Sequence, residues 1–116
     1  MILGIHHFSI IVSSEESVKF YRKLGFTEER RIERSYDTVV LMCGYGVGLE
    51  VYVDPKHPRR GELEPLGLRQ LALRVDGIEE TASELGQEGL EINTDWNGKR
   101  YGIVTDPDGN PVQLCE

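Results

Sequence analysis

His7-Phe8-Ser9-Ile10-Ile11-Val12 and Gln70-Leu71-Ala72-Leu73-Arg74-Val75 are one pattern written twice. Phe8, Ile10 and Val12 answer Leu71, Leu73 and Val75 at an offset of 63 residues. Alternation of period two is what a β-strand with one apolar face requires, because successive side chains leave opposite faces. A fixed offset also constrains the rest of the chain, since whatever follows one copy must have a counterpart after the other.

It does. Ser13 with Glu16 and Asp76 with Glu79 each predict a capped helix start directly after the strand, again at the 63-residue offset. The first helix should turn Val18, Tyr21 and Leu24 to the sheet and stop near Gly25. The second should turn Ile78, Ala82 and Leu85 and stop near Gly89. Three strand candidates follow each helix: 28–34, 38–43 and 48–53 in the first half, 91–94, 100–105 and 111–115 in the second. Tyr36-Asp37, Gly44-Tyr45-Gly46, Asn97-Gly98 and Asp106-Pro107-Asp108-Gly109-Asn110 supply the turns, because Asn, Asp and Gly tolerate the backbone angles needed there. The closing strands align as well, Leu49-Glu50-Val51 with Val112-Gln113-Leu114.

The expected fold is therefore α+β: two tandem βαβββ modules forming an incompletely closed, curved mixed sheet around a cleft. Residues 1–116 make one domain, with module one at 1–54, a polar, proline-bearing connector at 55–66, and module two at 67–116. A hydrophobic fraction of 39% suffices for a core in a domain of this size.

The formal charge is −7, from 20 acidic and 13 basic residues, which argues against nucleic-acid and membrane-surface partners. No apolar run reaches the length of a membrane span, and residues 1–12 lack a secretory signal pattern. Cys43 and Cys115 have no metal-site spacing, so reduced thiols in a cytoplasmic protein are expected.

Alternation also sorts the faces. Phe8, Ile10 and Val12, with Leu71, Leu73 and Val75, should pack under the helices. His7, Ser9, Ile11, Gln70, Ala72 and Arg74 then point the other way, together with Glu50, Tyr52, Gln113 and Cys115 of the last strands. Polar groups on an inward face need partners. A cleft holding a ligand, water or metal would supply them, and it would bring His7, Glu50, Gln70 and Gln113 together.

With these residues in place the sequence resembles the vicinal oxygen chelate superfamily of glyoxalase I, bleomycin-resistance proteins and extradiol dioxygenases, particularly its short glyoxalase-like members. The resemblance runs over essentially the whole chain. It is carried by Ile5-His6-His7-Phe8-Ser9-Ile10-Ile11-Val12, by Phe20-Tyr21-Arg22-Lys23-Leu24-Gly25-Phe26, by Gly67-Leu68-Arg69-Gln70-Leu71-Ala72-Leu73-Arg74-Val75, and by Asp106-Pro107-Asp108-Gly109-Asn110-Pro111-Val112-Gln113-Leu114.

The resemblance implies a divalent-metal site on His7, Glu50, Gln70 and Gln113, with Zn, Ni, Mn, Fe or Mg as the ion. It also implies a small-molecule ligand and a homodimer whose modules pair within one chain or across two. The family usually has His at position 70 and Glu at position 113, where this chain has two neutral amides. The set thereby loses an imidazole and a negative charge. Gln113 cannot take a proton, which leaves Glu50 as the candidate catalytic carboxylate.

Two readings follow. One is a metal-dependent lyase or isomerase of glyoxalase type with an altered site. The other is a metal-free, drug-sequestering binding protein, in which His7, Gln70 and Gln113 only form hydrogen bonds. Ser9, Tyr52, Arg74 and Arg100 are the candidate ligand contacts, with Arg74 either neutralising Glu50 or meeting an anionic group. Trp96, Lys99 and Tyr101 border the same region in relatives. His6 is expected to be structural, and His57 solvated.

Overall fold

The computed structural model describes residues 1–116, which fall into two compact units, Met1–Arg59 and Arg60–Glu116. Within the first, β1 (His7–Val12), α1 (Glu15–Lys23), β2 (Thr27–Glu33), β3 (Thr38–Gly44) and β4 (Val47–Val53) build a mixed sheet of order β1-β4-β3-β2. Within the second, β5 (Leu71–Arg74), α2 (Ile78–Glu84), β6 (Asn93–Thr94), β7 (Arg100–Thr105) and β8 (Pro111–Cys115) repeat it as β5-β8-β7-β6. In each sheet the first and last strands run parallel, the other pairs antiparallel, and neither sheet closes into a barrel. No helix is long and apolar enough to cross a membrane.

The repeat extends to hydrogen-bond register. Ser9 faces Glu50 and Ile11 faces Tyr52; their counterparts, Ala72 with Gln113 and Arg74 with Cys115, pair in the same way. The symmetry slips by one residue at the hairpin before the last strand. Cys43 pairs with Gly48 across four intervening residues, whereas Thr105 pairs with Pro111 across five. The shorter hairpin turns on Tyr45 and Gly46, both at positive φ (56° and 77°), a turn whose twist matches paired strands. The longer one is organised by buried Asp106, whose carboxylate accepts from the backbone N–H groups of Asp108 and Asn110 and from the Asn110 amide.

The helix starts fall one residue later than Ser13 and Asp76. Ser14 is the N-cap of α1, and its hydroxyl accepts from the Glu16 N–H at 3.3 Å; Gly77 is the N-cap of α2 and has no side chain with which to cap. The α2 stop is also earlier than Gly89. The helix ends at Glu84, and Gly86 (φ 73°) takes the left-handed position just beyond it. The strand expected over 91–94 shrinks to Asn93–Thr94.

Helix-facing side chains form the two cores. Val18 and Tyr21 of α1 are buried, as are Val40 and Val51 of its sheet; Ile78 and Ala82 of α2 are buried, as are Val104, Val112 and Leu114. Gly102 has a packing role here, since a Cβ at that position would crowd the Ile78 side chain at 3.3 Å. The opening strands bury less than alternation predicts. Phe8 is 37% exposed and Leu71 and Leu73 are only half-buried. Both β1 and β5 are edge strands, each with one neighbour, so the core sits under the central strands instead.

Candidate functional site

On module one, parallel register sets His7, Ser9 and Ile11 of β1 beside Gly48, Glu50 and Tyr52 of β4 on the face away from α1. His7 Nε2 stands 3.3 Å from Glu50 Oε2, with the two side chains 35% and 24% exposed. The other carboxylate oxygen, Oε1, accepts the Tyr52 hydroxyl at 2.9 Å. That bond to an anion, reinforced by desolvation, pushes the Tyr52 phenol above its ordinary value. Ser9 lies next to Glu50 in register and is exposed.

A guanidinium braces Tyr52 from behind. Arg34 lies 5.4 Å from the Tyr52 ring centroid and 4.6 Å from that of Tyr36. Its fork is held by both oxygens of Asp37 at 2.6 Å, which lowers the Asp37 carboxyl and raises Arg34. Within module one, Glu50 is therefore held by His7 and Tyr52.

His6 is the residue that sequence reasoning undervalued. It is exposed, and its Nδ1 meets His7 Nδ1 at 2.8 Å. The adjacent histidines in the sequence were the available signal. Alternation sends neighbouring side chains to opposite faces, but His6 precedes β1 and escapes that constraint.

On module two the equivalent positions hold amides. Gln70 Nε2 donates to Gln113 Oε1 at 2.5 Å, both residues being half-buried. Arg74 is exposed beside Cys115, to which it is paired in register. Burial raises the Cys115 thiol, with Asp95 acting the same way and Arg74 opposing. Arg100, an expected ligand contact, opens β7. Its guanidinium bonds Glu79 of α2 and Glu116, because its position in β7 shares the helix-side alternation of Gly102 and Val104. Trp96 is almost fully exposed in the β6–β7 turn.

A divalent ion sets a specific test for these groups. Two ligands bound at about 2.0–2.2 Å in tetrahedral or octahedral geometry stand about 2.8–3.6 Å apart, a range that includes the His7–Glu50 spacing of 3.3 Å. The same spacing is long for a charge-assisted hydrogen bond, ordinarily about 2.7–2.9 Å. The pair fits an ion as two of its ligands. No group of three or more His, Cys, Asp or Glu side chains that could hold an ion is present.

Two βαβββ units with a polar first-strand/last-strand pair in each define a two-module α+β protein of glyoxalase type. The chain belongs to the Glyoxalase/Bleomycin resistance protein/Dioxygenase superfamily, whose family model matches residues 4–114. Among solved structures it is similar to a glyoxalase family protein from Enterococcus faecalis, at 34% identity and TM-score 0.84 over 97% of each chain. TnmS3, an antibiotic-binding protein from Streptomyces sp. CB03234, matches at 28% identity and TM-score 0.67, covering 98% of this chain and 95% of its own. The trypanothione-dependent glyoxalase I of Leishmania major matches at 25% identity and TM-score 0.72, over 99% and 87%. A glyoxalase I and an antibiotic-binding protein thus share this fold.

Proposed function

We propose that the chain binds a small molecule on the polar face of module one, with Glu50 as the anchoring group and Ser9 and Tyr52 beside it. The observation that carries this reading is the fixed carboxylate. Glu50 is a charged side chain on a strand otherwise lined by Leu49 and Val51, held by two partners, yet 24% exposed. A preorganised carboxylate favours a ligand presenting a cation or a hydrogen-bond donor, and the formal charge of −7 favours the same sign. The likeness to an antibiotic-binding protein supports sequestration of such a molecule. Calorimetry of EDTA-treated protein against basic antibiotics such as bleomycin, and against small thiol conjugates, tests it. Saturable binding that weakens about tenfold in Glu50→Gln, roughly the effect of one charge-assisted hydrogen bond, is expected. Binding that Glu50→Gln leaves unchanged overturns the assignment.

A second reading rests on the 3.3 Å spacing itself: a divalent-metal-dependent lyase or isomerase in which His7 and Glu50 hold the ion. Bound there, the ion would polarise a substrate carbonyl. Glu50 is the group positioned to move a proton, and Tyr52 stabilises its charged form through Oε1. Gln70 and Gln113 supply hydrogen-bonding amides in either reading. Titration with Zn²⁺ and Ni²⁺ separates the two, since less than about a tenth of an equivalent bound under saturating supply removes the metal reading.

The chain is also proposed to act as a homodimer. Edge strand β1 carries Phe8 and Ile11 (37% and 49% exposed), and Ile2, Leu3 and Ile5 just before it are exposed as well, so this segment offers apolar side chains to a second copy. Sedimentation equilibrium decides it, and a monomer at all protein concentrations rejects it.

A further inference from the structure

We propose that module two carries a second recognition site, in which the Gln70–Gln113 amide pair takes a neutral group that both donates and accepts a hydrogen bond, of the carboxamide class. The site goes beyond the reading of module one and does not depend on Glu50.

Gln113 lies on β8 between β5 and β7, with Ala72 beside it in register on one side and Ile103 on the other. Its strand neighbours Val112 and Leu114 are fully buried in the core, so the Gln113 side chain leaves on the face away from α2. Ala72 is exposed on that face, Ile103 is 36% exposed, and Tyr101 is half-buried two residues before Ile103. The amide therefore rises within an apolar frame against which a flat group can lie.

A glutamine amide has two N–H donors and a carbonyl that accepts twice. The bond from Gln70 Nε2 to Gln113 Oε1, at 2.5 Å, uses one donor of the first and one acceptor position of the second. Gln113 Nε2 remains as a donor and Gln70 Oε1 as an acceptor. Turning both amides over exchanges the two roles and still leaves one donor and one acceptor. The requirement on a bound group is thus the same in either orientation. It must accept from one glutamine and donate to the other, because a half-buried amide loses free energy when it faces a group that cannot pair with it.

Charge selects the same class. Arg74 is exposed on this face beside Cys115, and Asp95 also acts on the Cys115 thiol, with opposite sign. A cation and a carboxylate near one strand end offset each other, so neither an anion nor a cation gains much from the field there.

Gln87 performs the same recognition within the protein. Its Nε2 donates to the Thr105 carbonyl at 2.7 Å, and its Oε1 accepts from the Thr105 N–H at 3.0 Å. One side-chain amide there matches both backbone groups of a residue. Because both of its ends are engaged, Gln87 serves as the internal control.

The test is ¹H–¹⁵N correlation of the side-chain amides in labelled full-length protein, titrated with benzamide, benzoate and benzamidine. These planar isosteres carry a donor and an acceptor, acceptors only, and donors only. Benzamide should shift Gln70 and Gln113 saturably with millimolar affinity, the scale for a fragment of its size, and leave Gln87 in place. The charged isosteres should bind at those amides at least about tenfold more weakly, the effect of one unmatched polar group. Absence of a saturable benzamide shift at Gln70 and Gln113 overturns the proposal, and so does equal binding there by either charged isostere. Benzamidine also probes Glu50: if it leaves His7 and Tyr52 unperturbed, the module-one reading loses support while this one stands.

Gln113→Glu gives an independent measure. The carboxylate still accepts from Gln70 Nε2, so the internal bond is kept, but it has no N–H to offer. Benzamide should weaken about tenfold and benzamidine should become the preferred ligand. A loosened fold would weaken all three ligands together, whereas an inverted preference reports the lost donor. An unchanged order of affinities, or a uniform loss, overturns the proposal.

Discussion

Tyr52 donates its hydroxyl to Glu50, two residues earlier on the same strand and the same face, at 2.9 Å. The bond links an aromatic braced by Arg34 to the carboxylate that faces His7, so the local geometry of the proposed site depends on one hydroxyl.

The first prediction follows from that bond. Because the phenol is raised in the folded state, its contribution to stability is complete below the unfolded tyrosine value, near 10, and is lost as pH rises through the higher folded value. Ultraviolet titration should therefore show a late-ionising tyrosine phase that Tyr52→Phe diminishes. The same variant should weaken ligand binding about three- to tenfold by releasing Glu50 Oε1. A late phase that Tyr52→Phe leaves unchanged refutes the assignment.

The second concerns the seam between α1 and its sheet. Gly25 has φ 109° and packs against the Tyr45 hydroxyl, which donates to the Leu24 carbonyl at the end of the helix. A Cβ at position 25 would overlap that hydroxyl. Gly25→Ala should cost about 2 kcal/mol or more, from left-handed backbone strain plus the displaced tyrosine. Adding Tyr45→Phe should recover part of the loss, because the clash goes and only the backbone strain stays. Chemical denaturation of the single and double variants measures both.

How far the sequence displayed this protein can be seen in the register. Ser9 with Glu50 and Ala72 with Gln113 stand in the pairing that the 63-residue offset implies, because period-two alternation and equal strand spacing leave no other choice. The pattern was silent on edges. Phe8 reads as a core residue by alternation but lies on a strand with one neighbour, and strand order is not written in periodicity. The caps were off by one because Ser13 and Ser14 are both competent caps, and only backbone geometry chooses between them. At the candidate site, the sequence pattern names His7, Glu50 and Tyr52, which lie within contact of one another on β1 and β4, whereas the Arg100 ion pairs with Glu79 and Glu116 depend on its phase in β7, which alternation alone does not fix.

The third prediction uses the cap itself. Ser14→Ala removes the hydroxyl that accepts from Glu16 N–H and should cost about 0.5–2 kcal/mol. Gly77→Ala, at the equivalent position of α2, removes no side-chain cap, so its effect should be smaller. Thermal unfolding of the two variants in parallel checks the asymmetry; a larger loss at Gly77 would contradict it.

The last prediction concerns acid. Arg31 of β2 grips both oxygens of Glu15 in the first turn of α1, at 2.6 and 2.8 Å, and also bonds Glu28. The pairing lowers the Glu15 carboxyl, the Arg31 hydrogen bond being the largest cause. A depressed carboxyl contributes stability that is present above its unfolded value, near 4.5, and is lost as pH falls through the folded one. Arg31→Gln should therefore destabilise the protein at pH 7 more than at pH 3, so that the two stability curves converge on the acid side. Half of the Glu15 side chain is exposed, which keeps the gap at neutral pH small and makes it shrink in high salt. Urea unfolding of both proteins from pH 3 to 7, with and without 1 M NaCl, measures the gap. Curves that stay parallel over that range would show that Arg31 acts through packing of its stem and not through the Glu15 charge.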